Sequence, residues 1–173
     1  KKEETAFKKT VCDYKIIGQL FNTYVVIEKD DCMYLLDQHA AHERLIYDKL
    51  KQEIKEKKLI TQELMVPYVL RLSPTEISAV MENREFFEQM GFDISDYGGG
   101  SVAVREIPFE LSLNEISDFI SETLEMIIEN KSAAFTRKQE KAVATLACKA
   151  AIKGNNRFSD FELKKLVEDV LEN

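Results

Sequence analysis

The chain has 173 residues, 45% of them hydrophobic and 32% charged, and a formal net charge of −7. That length fits one domain, or one domain with a sizeable insertion, and the composition is ordinary for a soluble globular protein. No apolar run nears the ~20 residues of a membrane helix, no signal peptide is visible, and the acidic balance lacks the basic excess with which a domain grips DNA by itself.

Residues 1–10 are polar and expected to fray. Residues 14–28 (YKIIGQLFNTYVVIE) hold the apolar, β-branched runs of a strand. Glu28-Lys29-Asp30-Asp31 reads as a turn and Cys32–Leu36 as a second strand, which together predict a hairpin. Asp37 ends that strand, and residues 38–58 follow as a helix in which Ile46, Leu50 and Ile54 recur every four positions. Lys51–Lys58 reads as its solvated face. Leu64–Leu72 is an extended run interrupted by Pro67, which predicts an edge strand or a bulge. Ser73-Pro74-Thr75-Glu76 is a capping box with Pro at the first helical position; it starts a helix that Gly91 should stop. Two short strands are expected near 92–96 and 101–107, joined by Gly98-Gly99-Gly100. Ser112-Leu113-Asn114-Glu115 opens a helix to about Asn130, Thr136 one to about Lys153, and Ser159-Asp160-Phe161-Glu162 a last one. Phe86, Phe87, Phe119 and Ile120 are the expected core. The order predicts an α+β fold: a dimerisation subdomain with a strand hairpin and helices (1–60 and 131–173), and an inserted smaller α+β regulatory subdomain (61–130).

The chemistry-bearing residues concentrate in Asp37–Asp48 (DQHAAHERLIYD), which contains both histidines of the chain, His39 and His42. On a helix His39 and Glu43 are one turn apart and share a face, and an imidazole and a carboxylate so placed can bind one divalent metal. Asp37 stands at the strand-to-helix junction, where a carboxylate can hold a metal ion that activates water. The same residues also read as a plain helix start, with Asp37 as the N-cap and His39–Glu43 as a surface pair. Cys148 reads either as a thiolate ligand or as an inert buried thiol. The small residues Ala142, Ala144, Ala147, Ala150 and Ala151 make its helix one that another backbone can approach closely.

Asp37, Gln38, His39, Ala40 and Glu43 resemble the D-Q-H-A-x-x-E-x-x-x-x-E motif of MutL-type DNA mismatch-repair proteins that nick DNA, with Asp48 in place of the last Glu. Ala147–Lys153 (ACKAAIK) resembles the same family's A-C-[RK]-x-A-x-K motif. The resemblance implies a C-terminal domain with metal-dependent endonuclease activity. Asp37, His39 and Glu43 would be catalytic, and the same three residues with Cys148 would be metal ligands. It implies Zn2+ as a structural or regulatory ion, Mn2+ or Mg2+ for catalysis, and ATP only through an N-terminal domain of the longer protein. The family's C-P-H-x-R-P and F-x-R segments are absent, and the chain begins Lys1-Lys2-Glu3 without an initiator Met. It therefore reads as a segment of something longer, expected to be inactive or nearly so by itself.

Gln62-Glu63-Leu64-Met65-Val66-Pro67 resembles the Q-x-x-x-x-P stretch by which such proteins touch the replication sliding clamp. Gln62, Leu64, Met65 and Pro67 would make the contact; the segment reads equally well as an edge strand whose apolar residues serve the core. The implied partners are a second copy of the chain, a MutS-type mismatch sensor, the sliding clamp and duplex DNA, with no membrane. A homodimer is expected to use the apolar strand 14–27 and the small-residue helix 137–152. Arg157 is a candidate phosphate contact or a surface-loop residue. Three widely spaced cysteines, Cys12, Cys32 and Cys148, suit a reducing compartment, so a cytoplasmic, nucleoid-associated protein is expected. The competing readings are a dimerisation and clamp-docking module without chemistry, and an unrelated metal-binding α+β domain.

Overall fold

The computed structural model describes residues 13–129, 134–152 and 158–172. The polar start of the chain, Cys12, Lys153 and Arg157 lie outside the described residues. The chain divides into two compact units, one drawn from Lys1–Ala41 and Arg157–Asn173, the other from His42–Asn156. The described residues form two three-stranded antiparallel sheets and six α-helices, an α+β fold as predicted.

The first unit holds a meander of β1 (Lys15–Leu20), β2 (Tyr24–Lys29) and β3 (Cys32–Asp37) together with helix α6 (Asp160–Glu172). The single strand expected over 14–28 is two strands. Phe21 and Asn22 both take positive φ, 54° and 53°, and the Thr23 amide donates to the Leu20 carbonyl at 3.0 Å. Asn tolerates that left-handed conformation, and a reversal with two such residues matches the twist of paired strands. Asp30 and Asp31, at 51° and 58°, make the expected second turn. Strand alternation then sorts the side chains. Val25 and Ile27 are buried on one face with Leu163 and Val167 of α6, and Ile16 and Leu36 pack beside them. The Ser159 box opens α6 as expected, its amide donating to Glu162 Oε2 at 2.8 Å.

The second unit is built on β4 (Thr61–Arg71), β5 (Asp93–Gly98) and β6 (Ser101–Pro108), in the order β4-β6-β5. β4 is an edge strand, and its register with β6 shifts between Glu63 and Tyr68, around Pro67. Pro has no N–H for a ladder, so both the edge position and the bulge follow from it. Helix α1 (Gln38–Glu56) enters this unit and ends at Lys57, which has φ 56°. The helix expected from Ser73 to Gly91 is broken. α2 (Pro74–Glu82) carries the predicted capping box, but Asn83 leaves helical geometry at φ −113° and ψ 28° before α3 (Arg84–Gln89). The Asn83 side chain donates to the Ala79 carbonyl at 2.8 Å, the competition with the helix ladder that Asn offers. A 3-10 turn (Leu113–Glu115) precedes α4 (Ile116–Glu129), and α5 (Phe135–Ile152) follows. Phe86, Phe87, Phe119 and Ile120 are buried as expected, and the Phe92 and Phe119 rings stack with centroids 5.0 Å apart. Ala142, Ala147, Ala150 and Ala151 belong to the same core, with Ile46 and Leu50. Four of the five small residues of α5 are therefore used inside the unit, whereas Ala144 is exposed.

Candidate functional site

The β3–α1 junction positions the motif. Asp37 is the last residue of β3, and its Oδ1 accepts from the amides of His39 at 2.9 Å and Ala40 at 3.1 Å. These are orphan N–H groups of the first helical turn, so Asp37 is the N-cap of α1. Capping is the plainer of the two sequence readings, and it leaves Asp37 half-buried at a fixed point on the sheet edge. Gln38 follows, buried; its amide donates to the Thr23 carbonyl at 2.9 Å and its Oε1 accepts from Gln19 Nε2 at 3.0 Å. His39 is exposed and Glu43 half-buried, one turn apart on α1.

Asp48 lies five residues beyond Glu43, about 140° around the helix at 3.6 residues per turn. Its Oδ2 accepts from Arg44 Nε at 2.6 Å, so it serves a surface ion pair on its own face. Cys148 on α5 is exposed with a free thiol, which removes the inert buried reading but gives it no partner role by itself. Asp37 and His39 fall in the first unit, Glu43 and Cys148 in the second. Among the described residues no group of three or more His, Cys, Asp or Glu side chains is placed to hold a metal ion. Within each unit, the described residues do not fit a complete cation site.

In the 62–67 segment, Gln62 Nε2 donates to the Leu111 carbonyl at 3.0 Å, and Leu64 packs against the core. Pro67 is half-buried, whereas Met65 and Val66 project from the bulge and are exposed. The sequence points to strand 14–27 as a pairing surface but not to the side chains that share the outer face of the first sheet. Leu20 pairs with Tyr24, Val26 with Leu35, and Glu28 with Met33, so these side chains share the face turned away from Val25 and Ile27. Met33 is 76% exposed, Leu35 55% and Leu20 46%. Asp37, the partner of Tyr24, closes the same row. The alternation of Met33, Leu35 and Asp37 was the available signal; the register that joins Leu20 to it was not.

Residues 17–158 match the family model described as MutL C terminal dimerisation domain. The chain belongs to that family. Among similar members are the DNA mismatch repair protein MutL of Clostridium botulinum (strain Langeland), 39% identical over 159 residues, and that of Caldanaerobacter subterraneus subsp. tengcongensis, 35% identical over 162 residues. The alignments cover 92% and 94% of this chain but 24% and 27% of those proteins, so this MutL-family chain spans about a quarter of the length of the curated relatives it matches. Among the described residues no helix is long and apolar enough to cross a membrane.

Proposed function

We propose that this chain pairs with a second copy of itself, as the C-terminal domain of a protein of DNA mismatch repair, and that its Asp37–Glu43 segment takes part in nicking duplex DNA. The observation that carries the pairing is the outer face of the β1-β2-β3 sheet. Leu20, Val26, Met33 and Leu35 form a contiguous apolar row on it, with Tyr24 beside them. A self-complementary apolar face is what a two-fold dimer needs, and obligate dimer interfaces resemble a core cut in half. The family's description as a dimerisation domain supports the same reading.

The nicking activity is supported by the sequence of the motif and by its place at a strand end, where Asp37 is held on a rigid element. Zn2+, and Mn2+ or Mg2+, are proposed as ions of the full-length protein, and ATP as a ligand of its other domains. A MutS-type sensor and the sliding clamp are proposed partners. In the full-length protein, Asp37→Asn should abolish Mn2+-dependent nicking of supercoiled plasmid while leaving dimerisation intact. Undiminished nicking by that variant would remove the enzymatic reading. A docking module without chemistry is the second reading, favoured by the exposure of Met65 and Val66 on the β4 bulge.

A further inference from the structure

Gln38 is 1% exposed, and among the described residues it is one of three buried polar side chains. Its Oε1 is used, accepting from Gln19 Nε2 at 3.0 Å, but its own Nε2 is buried without a hydrogen-bond partner among the described residues. A buried donor without an acceptor is a standing cost, and an apolar side chain of the same shape would remove it. Such a group calls for an explanation other than stability.

Its position supplies one. The Gln38 side chain ties the first residue of α1 to β1, and its backbone N–H ties the same residue to Thr23, in the turn just before β2. Asp37 and His39 stand on either side of this twice-anchored residue, and Asp37 Oδ1 holds the His39 and Ala40 amides. Rotation or translation of the α1 N-terminus would move the Asp37 carboxylate and the His39 ring together, and the amide pair blocks that movement. We propose that Gln19 and Gln38 are positioning residues that hold the Asp37 carboxylate and the first turn of α1, which carries His39, in place at the expense of stability. Buried polar groups that fix orientation around reacting side chains act in this way, and a displacement of ~1 Å there is costly to rate.

The proposal rests on the nicking function proposed above, and its test separates the two. In the full-length protein, Gln38→Met keeps the volume and loses the bond to Gln19, and Gln19→Met removes the other partner. Because the pair acts as one unit, each single variant and the double variant should lose kcat for plasmid nicking to a similar extent, about tenfold or more, with KM for DNA little changed. Thermal stability of the Gln19→Met, Gln38→Met double variant should hold or rise, which a merely structural pair would not show. Hydrogen exchange at the His39 and Ala40 amides should accelerate in the same variants, while exchange in β2 stays slow. Unchanged exchange at those two amides overturns the positioning role whatever the activity. Loss of nicking in proportion to lost stability, matched by Val25→Ala in the sheet core, also overturns it. If Asp37→Asn nicks normally, the nicking reading falls and the exchange result alone decides the positioning claim.

Discussion

Asp37 has two roles that can be pulled apart by substitution. As the N-cap of α1 it accepts from the His39 and Ala40 amides, a task an Asn side-chain oxygen performs about as well. Asp37→Asn should therefore change the midpoint of thermal unfolding little, whereas Asp37→Ala should lower stability by about 1 kcal/mol. Chemical denaturation of the two variants checks this: equal loss in both would mean that the charge, and not the cap, supports the fold. Asp48 shows the reverse lesson. It fills an acidic position of the motif, but the bond to Arg44 commits it to another face of the helix. The pair is largely exposed, with the Arg44 side chain at 73%, and contributes little to stability.

At the scale of elements, the caps were legible because their chemistry is local. Ser73 and Glu76 are three residues apart, and the helix start follows from that spacing alone. The Ser73 hydroxyl and, behind it, the Ser73 amide hydrogen-bond the Glu76 carboxylate and hold its pKa below the ordinary value. A carboxyl whose pKa is depressed by folding adds stability above its unfolded value, and that stability is lost as pH falls through the lower folded value. Glu76→Gln should therefore show a smaller fall in unfolding midpoint than wild type when the pH is taken from neutral into the acid range; an identical fall would show that the box is not linked to protons. The bulge at Pro67 was equally legible, because a missing N–H acts at one residue. The Phe21–Asn22 reversal and the break at Asn83 were not, because neither carries Gly or Pro and both depend on what the flanking segments pair with. The Gln19–Gln38 contact was further out of reach, since it spans 19 positions and exists only once the strand register is set. On β4, Gln62 is held by the Leu111 carbonyl while Met65 is free to meet a partner. Met65→Ala should weaken binding to the sliding clamp without loss of stability, whereas Gln62→Ala should loosen β4 as well. Surface plasmon resonance against immobilised clamp distinguishes them, and full binding by the Gln62→Ala, Met65→Ala double variant would reduce the segment to an edge strand.

For the whole molecule, the family and the α+β class were readable from motif and element order. Strand 14–27 is the pairing surface the sequence suggests, but which of its side chains share an outer face depends on a register that the sequence does not show. Splitting it at Phe21 and Asn22 sets the register that aligns Leu20, Val26 and Leu35 on one face. Among the described residues, Leu20, Met33 and Leu35 on that outer face are exposed. Pairing is therefore expected on the first sheet and not on the second. The measurement that tests this most directly is sedimentation equilibrium at micromolar concentration of wild type, Leu35→Asp and Val69→Asp. Leu35 and Val69 are both exposed, at 55% and 46%, so neither charge should disturb folding. Wild type and Val69→Asp should sediment as dimers and Leu35→Asp as a monomer; a dimeric Leu35→Asp protein would contradict the account.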